Sequence, residues 1–314
     1  IALSYFSDRK ILPKTITSFG LGFAPDSYTY VLDFLKKKGY TEDEIMASGL
    51  IVNRDGKLYD KFRNRVIFPI MDLRGNVIGF GGRIMGQAKE TNGFKIPKYL
   101  NSPETPVFDK GKNLFSLNLA KKQGAYSIIL VEGYMDVITV YQAGVTNVCA
   151  TLGTALTENQ AKLLLKYCNE ILLCYDSDEA GQKATIRAIE IINSAGGASR
   201  VINLKKSKDP DEYIKAYGTT SFLEAIKEAV ASTRYRLDII RTKYSLDSPE
   251  GKSLFIKEAV EILSGLQNAV EVDAYINELA VEVGVNKDTI YAEFKKYLAN
   301  CFDQPFGAFN NLHF

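Results

Sequence analysis

Acidic residues follow three short predicted strands in the middle of the chain. The strands cover two apolar runs, residues 128–131 and 171–175, and the mixed segment 199–204. The acidic residues that follow them are Glu132, Asp136, Asp176, Asp178, Asp209 and Asp211. Short runs of large and β-branched apolar residues are typical of buried parallel strands, and ligands collect where such strands end. We therefore expect these carboxylates to meet at one edge of a sheet.

Carboxylates gathered at one edge repel one another unless a cation neutralises them. Hard oxygen ligands of this kind suit Mg²⁺ or Mn²⁺. Each acidic pair taken singly also has a structural explanation, since Glu132 and Asp136 suit a helix N-terminus and Asp209 suits a helix cap. Their shared position at the ends of successive strands favours a metal-dependent site for phosphate chemistry.

Residues 125–217, which carry these acids, alternate between strand and helix patterns. Strands are predicted over residues 128–131, 148–150, 171–175 and 199–204. Helices are predicted over residues 134–143, 158–167 and 179–193, the second of them capped by Thr157. Strands separated by helices imply a parallel sheet with right-handed crossovers. The fold class is therefore α/β in this region and α+β for the chain as a whole.

A basic segment precedes the alternating region. Residues 57–122 hold thirteen Lys and Arg against five Asp and Glu, a net charge of +8, so the rest of a chain of net charge +2 carries −6. Residues 66–70 and 77–80 predict a β-hairpin, and the glycines that lead into Arg83 suit close approach of a phosphate backbone. Because charge runs are often solvated faces, nucleic-acid contact is one of two interpretations of this excess.

The cysteines and the single histidine argue against several kinds of site. The four cysteines, which form no C-x-x-C pair, are Cys149, Cys168, Cys174 and Cys301. The histidine, His313, stands almost at the end of the sequence. Neither a zinc site nor a Ser/His or Cys/His hydrolase is expected. Unpaired thiols fit a reducing, cytosolic compartment, and no apolar run approaches the roughly 20 residues of a membrane span.

Four regions are predicted along the chain. They are a basic N-terminal subdomain over residues 1–123, a catalytic parallel-sheet domain over 124–217, a helical bundle over 218–300 and a tail of unknown role over 301–314. The bundle is predicted from apolar residues at helical spacing, such as Phe222, Ile226 and Val230. Because the sequence begins at Ile1 without a methionine, we expect it to be a fragment of a longer protein.

Three acidic motifs resemble the signature of the TOPRIM fold. They are Glu132-Gly-Tyr-Met-Asp136, Asp176-Ser-Asp178 and Asp209-Pro-Asp211. Residues 62–70, 79–83 and 98–105 resemble blocks of the basic subdomain that precedes TOPRIM in the DnaG-type bacterial primases. Topoisomerases and recombination mediators are not expected to carry those blocks. The sequence differs from the family at Ser177, where the family often has glycine.

The resemblance implies the RNA polymerase core of a primase, an enzyme that makes short RNA on single-stranded DNA by metal-dependent nucleotidyl transfer during DNA replication. The implied metal ligands are Glu132, Asp176, Asp178, Asp209 and Asp211. The implied catalytic residues are Glu132, Asp136, Asp176 and Asp178. Glu132 is either a ligand or the proton-transfer group. Mg²⁺ or Mn²⁺ is the implied cofactor, and zinc is not expected in this fragment.

The resemblance also implies partners and a basic binding surface. Contacts to template or nucleotide phosphates are expected from Arg63, Arg65, Arg83, Lys98, Asn101 and Lys112. The expected partners are single-stranded DNA, ribonucleoside triphosphates and the RNA/DNA hybrid, with a replicative helicase bound through a domain absent from this chain. The family's zinc-binding domain is also expected to be absent, and the expected location is the bacterial cytoplasm, at the nucleoid. Two alternatives stay open, another TOPRIM enzyme such as a nuclease or topoisomerase, and a DNA-binding module without chemistry.

Overall fold

The computed structural model describes residues 2–86, 90–91, 94–204 and 207–302. The chain divides into two compact units, of which the first ends at Ala229 and the second begins at Val230. Most of the predicted tail, with His313, lies outside the described residues. The finer division into four regions stays a prediction.

The first unit combines helices with two main sheets. Its helices are α1 (Ala2–Asp8), α2 (Pro13–Phe19), α3 (Tyr30–Lys37), α4 (Glu42–Ala47), α5 (Leu117–Ala120), α6 (Tyr134–Gln142), α7 (Glu158–Leu164), α8 (Glu179–Ser194) and α9 (Pro210–Lys227). Its strands are β1 (Gly22–Ala24), β2 (Ile51–Arg54), β3 (Lys57–Asp60), β4 (Arg65–Met71), β5 (Val77–Ile84), β6 (Glu90–Thr91), β7 (Phe94–Lys95), β8 (Tyr99–Asn101), β9 (Ser127–Val131), β10 (Val148–Ala150), β11 (Glu170–Leu173) and β12 (Ala198–Val201). Short 3₁₀ helices lie at Lys110–Lys112 and Lys121–Gln123.

An antiparallel sheet of order β1-β4-β5-β8 forms the centre of the basic segment. The predicted hairpin between β4 and β5 is present. Its turn is closed by Asp72, whose carboxylate accepts from the backbone N–H groups of Arg74 at 2.8 Å and Asn76 at 2.9 Å. Gly75 supplies the left-handed backbone that this turn requires, with φ at 92°.

The glycines of β5 face aromatic rings. A Cβ placed on Gly81 would lie 2.5 Å from the ring of Tyr134, and one on Gly82 would lie 2.7 Å from the ring of Phe62. The space next to these glycines is therefore filled by protein side chains. The suggestion that they leave room for a phosphate backbone was wrong, because side-chain volume in the core already occupies that room.

Gly81→Ala is expected to lower the free energy of unfolding by about 1–3 kcal/mol, the usual cost of overpacking a filled core. The new methyl group must displace the ring of Tyr134, which is itself buried. Gly22→Ala is the matched control in the same sheet, since its Cβ would meet its nearest neighbour, on Ile67, at 4.0 Å. Urea unfolding of both variants measures the difference. Equal stabilities would contradict this account of the β5 glycines.

The second main sheet carries the acidic motifs. Within the first unit its order is β10-β9-β11-β12, and every neighbouring pair is parallel, as predicted. Leu173 on β11 pairs with Leu130 on β9 and with Val201 on β12, so the carboxyl ends of these strands lie level. The chain passes from β9 to β10 on one side and then to β11 on the other. The crevice between β9 and β11 is therefore the topological switch point at which such sheets bind ligands.

Tyr134 joins the two sheets into one core. Its ring stacks on Phe68 of β4 with centroids 5.0 Å apart and meets Phe115 edge-on at 4.7 Å. Its hydroxyl donates to Oδ1 of Asn101 on β8 at 2.8 Å. Tyr134 is thus buried with its hydroxyl hydrogen-bonded. Because Tyr134 is the first residue of α6, these contacts fix the start of that helix, and with it Asp136, against the basic segment.

Helix caps define where the acidic loops end. Thr157 caps α7 as predicted, in a reciprocal pair with Gln160. Asp178 caps α8 by accepting from Gly181 N–H at 2.9 Å, and Asp209 caps α9 by accepting from Glu212 N–H at 2.8 Å. Two of the predicted metal ligands therefore also start helices, which fixes where their carboxylates lie.

The second unit is helical, as predicted. After a two-residue strand, β13 (Val230–Ala231), its helices are α10 (Ser232–Arg241), α11 (Pro249–Ser264), α12 (Ala269–Val283) and α13 (Lys287–Phe302). Its core includes Phe255, Leu263, Ile276, Leu279 and Ile290. In the described ranges of both units, no helix is long and apolar enough to cross a membrane.

Candidate functional site

Glu132 and Asp176 lie at the switch point of the parallel sheet. Glu132 follows β9 directly, and its Oε1 accepts from the backbone N–H of Asp176 at 3.0 Å. One carboxylate thus links the ends of the two central strands. Burial raises the pKa of Glu132, although the hydrogen bond from Asp176 works in the opposite direction.

Lys208 bridges the two aspartates of the second acidic motif. Its ammonium lies 4.0 Å from Oδ2 of Asp176 and 3.6 Å from Oδ2 of Asp178. Burial raises the pKa of Asp176 to about 6, and the nearby carboxylates of Glu132 and Asp209 add to this rise. The hydrogen bond from Gly181 instead lowers the pKa of the exposed Asp178. The cluster thus contains more negative charge than Lys208 alone neutralises.

Ser177 connects this motif to the loop after β12. Its backbone N–H donates to the carbonyl of Lys208, and its hydroxyl donates to the carbonyl of Ser207, each at 2.8 Å. The side-chain hydroxyl of Ser177, at the position expected to be glycine, therefore has a partner in this chain. These two bonds hold Lys208 beside the acidic group.

Asp136 is a buried acid in the first turn of α6. Burial first, and then the nearby carboxylates of Asp209, Asp176 and Asp211, raise its pKa to about 8. Glycine at position 133 leaves room for this carboxylate, because a Cβ there would lie 2.9 Å from Oδ2 of Asp136. At neutral pH this group therefore retains a proton in the absence of added cations.

Asp211 is separated from the other acids by its own partners. Its Oδ1 accepts from the hydroxyl of Thr139 at 2.5 Å, and its Oδ2 lies 2.6 Å from the ammonium of Lys215 and 3.7 Å from a guanidinium nitrogen of Arg9. Both carboxylate oxygens of Asp211 therefore already have partners within the protein. This arrangement disfavours the predicted role of Asp211 as a metal ligand.

The remaining acids have the donor chemistry of a site for a hard divalent cation. They are Glu132, Asp176 and Asp178. Asp209, also predicted as a ligand, lies close enough to raise the pKa of Asp176, but its Oδ1 already caps α9. Among the residues that the structure describes, no three His, Cys, Asp or Glu side chains are grouped to hold a metal ion as they stand. The observations that fit a cation are the excess negative charge and the raised pKa of Asp176, which a cation would relieve.

A cavity of about 790 Å³ lies beside the basic segment. It is lined by Tyr5, Arg9, Arg83, Ile84, Gly86, Ile96, Pro97 and Lys98. The guanidinium of Arg83 lies 5.5 Å from the ring centroids of both Tyr5 and Tyr99. Two of the predicted binding residues, Arg83 and Lys98, thus share a cavity with Arg9, which the sequence did not single out. Three cations with aromatic neighbours suit a phosphate-bearing ligand.

Arg65 has a different environment from the one predicted. The side chain is buried, and its guanidinium donates to the carbonyls of Gly82 at 3.0 Å, Pro97 at 3.0 Å and Lys98 at 3.3 Å. Burial lowers the pKa of this arginine. Its donors hold the backbone that leads into β8, so a phosphate contact is disfavoured because those donors are occupied.

Asn101 and Lys112 also have protein partners. Asn101 donates from Nδ2 to the carbonyl of Leu152 at 2.6 Å and accepts the Tyr134 hydroxyl through Oδ1. Lys112 lies 2.8 Å from Oδ2 of Asp109 at an exposed position. Asn101 therefore connects the two sheets, and Lys112 is available only by giving up an exposed ion pair of low energy.

Arg63 forms an exposed platform with an aromatic ring. Its guanidinium lies 4.2 Å from the ring centroid of Tyr28, which is 62% exposed. Tyr59 meets the same ring edge-on at 5.7 Å. A stacked guanidinium beside an accessible ring provides both a cation for a phosphate and a face for a base.

Family models match three successive parts of the chain. Residues 1–121 match the N-terminal domain of the DNA primase catalytic core, residues 129–214 match a Toprim-like domain, and residues 233–288 match the DnaB-helicase binding domain of primase. A DNA primase domain from Pseudomonas aeruginosa is 35% identical, with a TM-score of 0.78 over 94% of this chain and 92% of that one. The chain belongs to the DnaG primase family.

Two further relatives support the DnaG assignment. A DnaG primase catalytic domain solved with bound single-stranded DNA is 32% identical, with a TM-score of 0.78 over 92% of this chain and 90% of that one. A DNA primase of Clostridium acetobutylicum is 44% identical over 291 residues, or 92% of this chain and 48% of the relative. The chain thus spans about half the length of the curated relatives it matches.

The DnaG match confirms the TOPRIM resemblance and corrects one expectation. The helicase-binding domain was expected to be absent, yet the corresponding family model matches residues 233–288 of the helical second unit. Helical periodicity indicated packing in this region and gave no sign of a partner. The alternatives of a topoisomerase or nuclease are set aside, because the match includes the primase-type N-terminal domain.

Sequence reasoning missed two basic residues that the structure places at the candidate sites, Lys208 at the acidic group and Arg9 in the cavity. Lys208 lies in the loop after β12, in which the sequence singled out only Asp209 and Asp211, and its contact with Asp176 depends on the sheet register. Arg9 precedes the basic segment by almost 50 residues. No local pattern connects it with Arg83 or Lys98, which meet it only in the folded chain.

Proposed function

We propose that this chain catalyses template-directed synthesis of short RNA on single-stranded DNA by metal-dependent nucleotidyl transfer. The observation that carries the proposal is the acidic group at the switch point, within the same unit as a cavity lined by three cations. Asp211 links the acidic group to the cavity. Its backbone N–H hydrogen-bonds to the carboxyl group of Asp136, and its own carboxylate forms an ion pair with Arg9. Nucleotidyl transfer requires both features, carboxylates for a cation and basic groups for phosphates.

The proposed holders of the divalent cation, Mg²⁺ or Mn²⁺, are Glu132, Asp176 and Asp178. When bound, such a cation stabilises the charge that develops on the transferred phosphoryl group and activates the attacking 3′-hydroxyl. Glu132 is oriented for this by the backbone of Asp176. Lys208 keeps the two aspartates together and can release them readily, because exposed ion pairs contribute little energy.

The cavity is the proposed site for nucleotide phosphates. Arg9 and Arg83 can each bind a phosphate through two parallel hydrogen bonds, whereas Lys98 supplies a point charge. The hydroxyl of Tyr99 accepts from Arg83 at 3.4 Å and helps to orient that guanidinium. Burial raises the pKa of Tyr99 to about 12, so it remains a neutral neighbour of the cations.

The platform of Arg63 and Tyr28 is the proposed contact for the single-stranded template. An exposed ring stacks on any base, and the adjacent guanidinium reaches the phosphate backbone. The RNA/DNA hybrid is expected along the same basic segment. The second unit is the proposed contact for a DnaB-type helicase, and replication of the bacterial chromosome sets the proposed location in the cytoplasm, at the nucleoid.

Lys98→Met is expected to raise the Kd for ATP about tenfold, the size of one charge-assisted hydrogen bond, and to make the salt dependence of binding shallower. Lys98 is exposed on the cavity wall, so the change removes charge without disturbing the core. Lys57→Met, an exposed change on β3, is the matched control. Titration of a fluorescent ATP analogue at several salt concentrations measures both quantities. Identical salt dependence in the two variants would remove Lys98 from the site.

The proposal as a whole is tested by incorporation of labelled ribonucleotides on single-stranded DNA. Short RNA is the expected product when Mg²⁺ or Mn²⁺ is added. DNA that is bound but never copied would indicate a binding module and refute the proposed reaction.

A further inference from the structure

Asp211 contacts the wall of the phosphate cavity. We propose that Asp211 is a positioning residue that holds the guanidinium of Arg9 for a phosphate-bearing ligand, and that it is not a metal ligand. The inference rests on the proposed function, because it takes the cavity as the phosphate site. It separates the last acidic motif into two roles, with Asp209 beside the acidic group and Asp211 beside the cavity.

Three donors surround the Asp211 carboxylate. The Thr139 hydroxyl occupies Oδ1, and the ammonium of Lys215 and the guanidinium of Arg9 share Oδ2. The side chain is only 11% exposed. A carboxylate in this setting is already neutralised, and joining a metal would leave two cations without their anion. The contacts therefore favour a structural partner for Arg9 over a metal ligand.

Arg9 is held from two directions. Its guanidinium lies 5.5 Å from the ring centroid of Tyr5 and 3.7 Å from Oδ2 of Asp211. Arg83 lies at the same distance from the Tyr5 ring, so two guanidinium groups share one small region. Asp211 offsets their repulsion and restricts the movement of Arg9. A restrained arginine loses less entropy when it binds phosphate, which strengthens binding.

The two possible effects of Asp211 on phosphate binding have opposite signs. If Asp211 acted only through its negative charge, its removal would make the cavity more positive and tighten the binding of anions. If it positions Arg9, its removal must weaken binding even though the net charge rises by one unit. The sign of the change therefore distinguishes positioning from simple electrostatics.

The test compares Asp211→Asn with the wild-type chain in two binding measurements. The Kd for ATP, measured in EDTA so that no divalent cation contributes, is expected to rise about tenfold, as for loss of one charge-assisted contact. Mn²⁺ binding, followed by electron paramagnetic resonance, is expected to stay within about twofold, because the Asp176 and Asp178 carboxylates are unchanged. In Asp176→Asn the Mn²⁺ signal should instead report loss of binding.

Further variants isolate the pair. Arg9→Met should raise the Kd for ATP as much as Asp211→Asn does, and the double variant should be no worse than Arg9→Met alone, as expected for one coupled unit. Asp8→Asn, an exposed change of the same charge next to Arg9, should not weaken binding. If Asp211→Asn does not fold, Asp211→Asn combined with Lys215→Met removes the ion pair without leaving the lysine unpaired, and supports the same comparison.

The outcomes separate this inference from the proposed function. Unchanged or tighter ATP binding in Asp211→Asn, with weaker binding in Arg9→Met, would overturn the positioning role and leave the cavity assignment in place. Loss of Mn²⁺ binding in Asp211→Asn would also overturn it, by making Asp211 a ligand. No effect of Arg9→Met would overturn both assignments, because the cavity would then not be the phosphate site.

Discussion

Asp176→Asn is expected to reduce RNA synthesis by at least about 1000-fold, because removal of a preorganised charge at a reacting phosphate costs this much or more. The carboxylate stands at the switch point, next to Glu132 and Lys208. Asparagine has nearly the same shape but cannot neutralise a divalent cation. Incorporation of labelled ribonucleotides under saturating Mg²⁺ measures the loss. An Asp176→Asn variant with more than about a tenth of wild-type activity would remove this residue from the catalytic set.

The same substitution is expected to stabilise the fold at pH 8. The pKa of Asp176 is raised to about 6, so ionising this carboxyl group costs more free energy in the folded chain than in the unfolded chain. The shift from the ordinary value corresponds to about 3 kcal/mol, which we reduce to about 1–2 kcal/mol because the side chain is partly exposed and solvent screens it. Asp55→Asn, an exposed change in a turn, is the control. Loss of activity together with gained stability would exclude misfolding as the cause.

The first unit, without added divalent cations, is expected to lose stability as the pH rises from about 4 to about 8. Folding raises the pKa of Asp136 to about 8, that of Asp176 to about 6 and that of Glu132 in the same direction. The folded chain then binds more protons than the unfolded chain between the unfolded and folded pKa values, and stability falls with pH in that window. Above the folded pKa values these carboxyl groups are ionised in both states, and the stabilisation that their bound protons gave the fold is lost.

Asp136→Asn is expected to flatten this pH dependence, since Asp136 has the largest shift among these acids. The change in unfolding free energy across the window is expected to be on the order of a few kcal/mol for the wild type and clearly smaller for the variant. Acids with lowered pKa values, such as Asp72 and Asp178, act below about pH 4, where protonation removes their hydrogen bonds, so the two effects are separate. Urea unfolding between pH 5 and 8.5 measures the slope. A flat wild-type profile would contradict the burial of Asp136 as described.

The parallel sheet and the acidic edge could be predicted from the sequence, because both depend on local patterns. Buried parallel strands read as short apolar runs, and the acids that follow them are placed by the strand register. For this reason Glu132 contacts Asp176 as expected, and Lys208 bridges Asp176 and Asp178. Asp211 follows the same pattern but pairs with Arg9 and Lys215, and a sequence pattern does not reveal which partner a carboxylate finds.

The basic segment was harder to predict because residue type does not decide what a donor binds. Arg65 and Arg83 are both arginines of the same antiparallel sheet, yet Arg65 donates to backbone carbonyls and Arg83 lines the cavity. Asn101 was predicted to contact phosphate and instead joins two sheets. Arg9 lies far away in sequence and reaches the cavity only through the fold. The environment of each of these four residues is set by contacts with residues distant in sequence, and the periodicity of the sequence does not predict such contacts.

The most direct test of the proposed reaction is whether the RNA product follows the template. Single-stranded DNA of defined composition is offered with one labelled ribonucleotide at a time, in Mg²⁺ and in Mn²⁺, to the wild-type chain and to Asp176→Asn. Alkali-sensitive product is expected from the wild type only with the complementary ribonucleotide, and none is expected from Asp176→Asn. Absence of incorporation by the wild type in both metals, or incorporation that ignores the template, would contradict the proposed reaction.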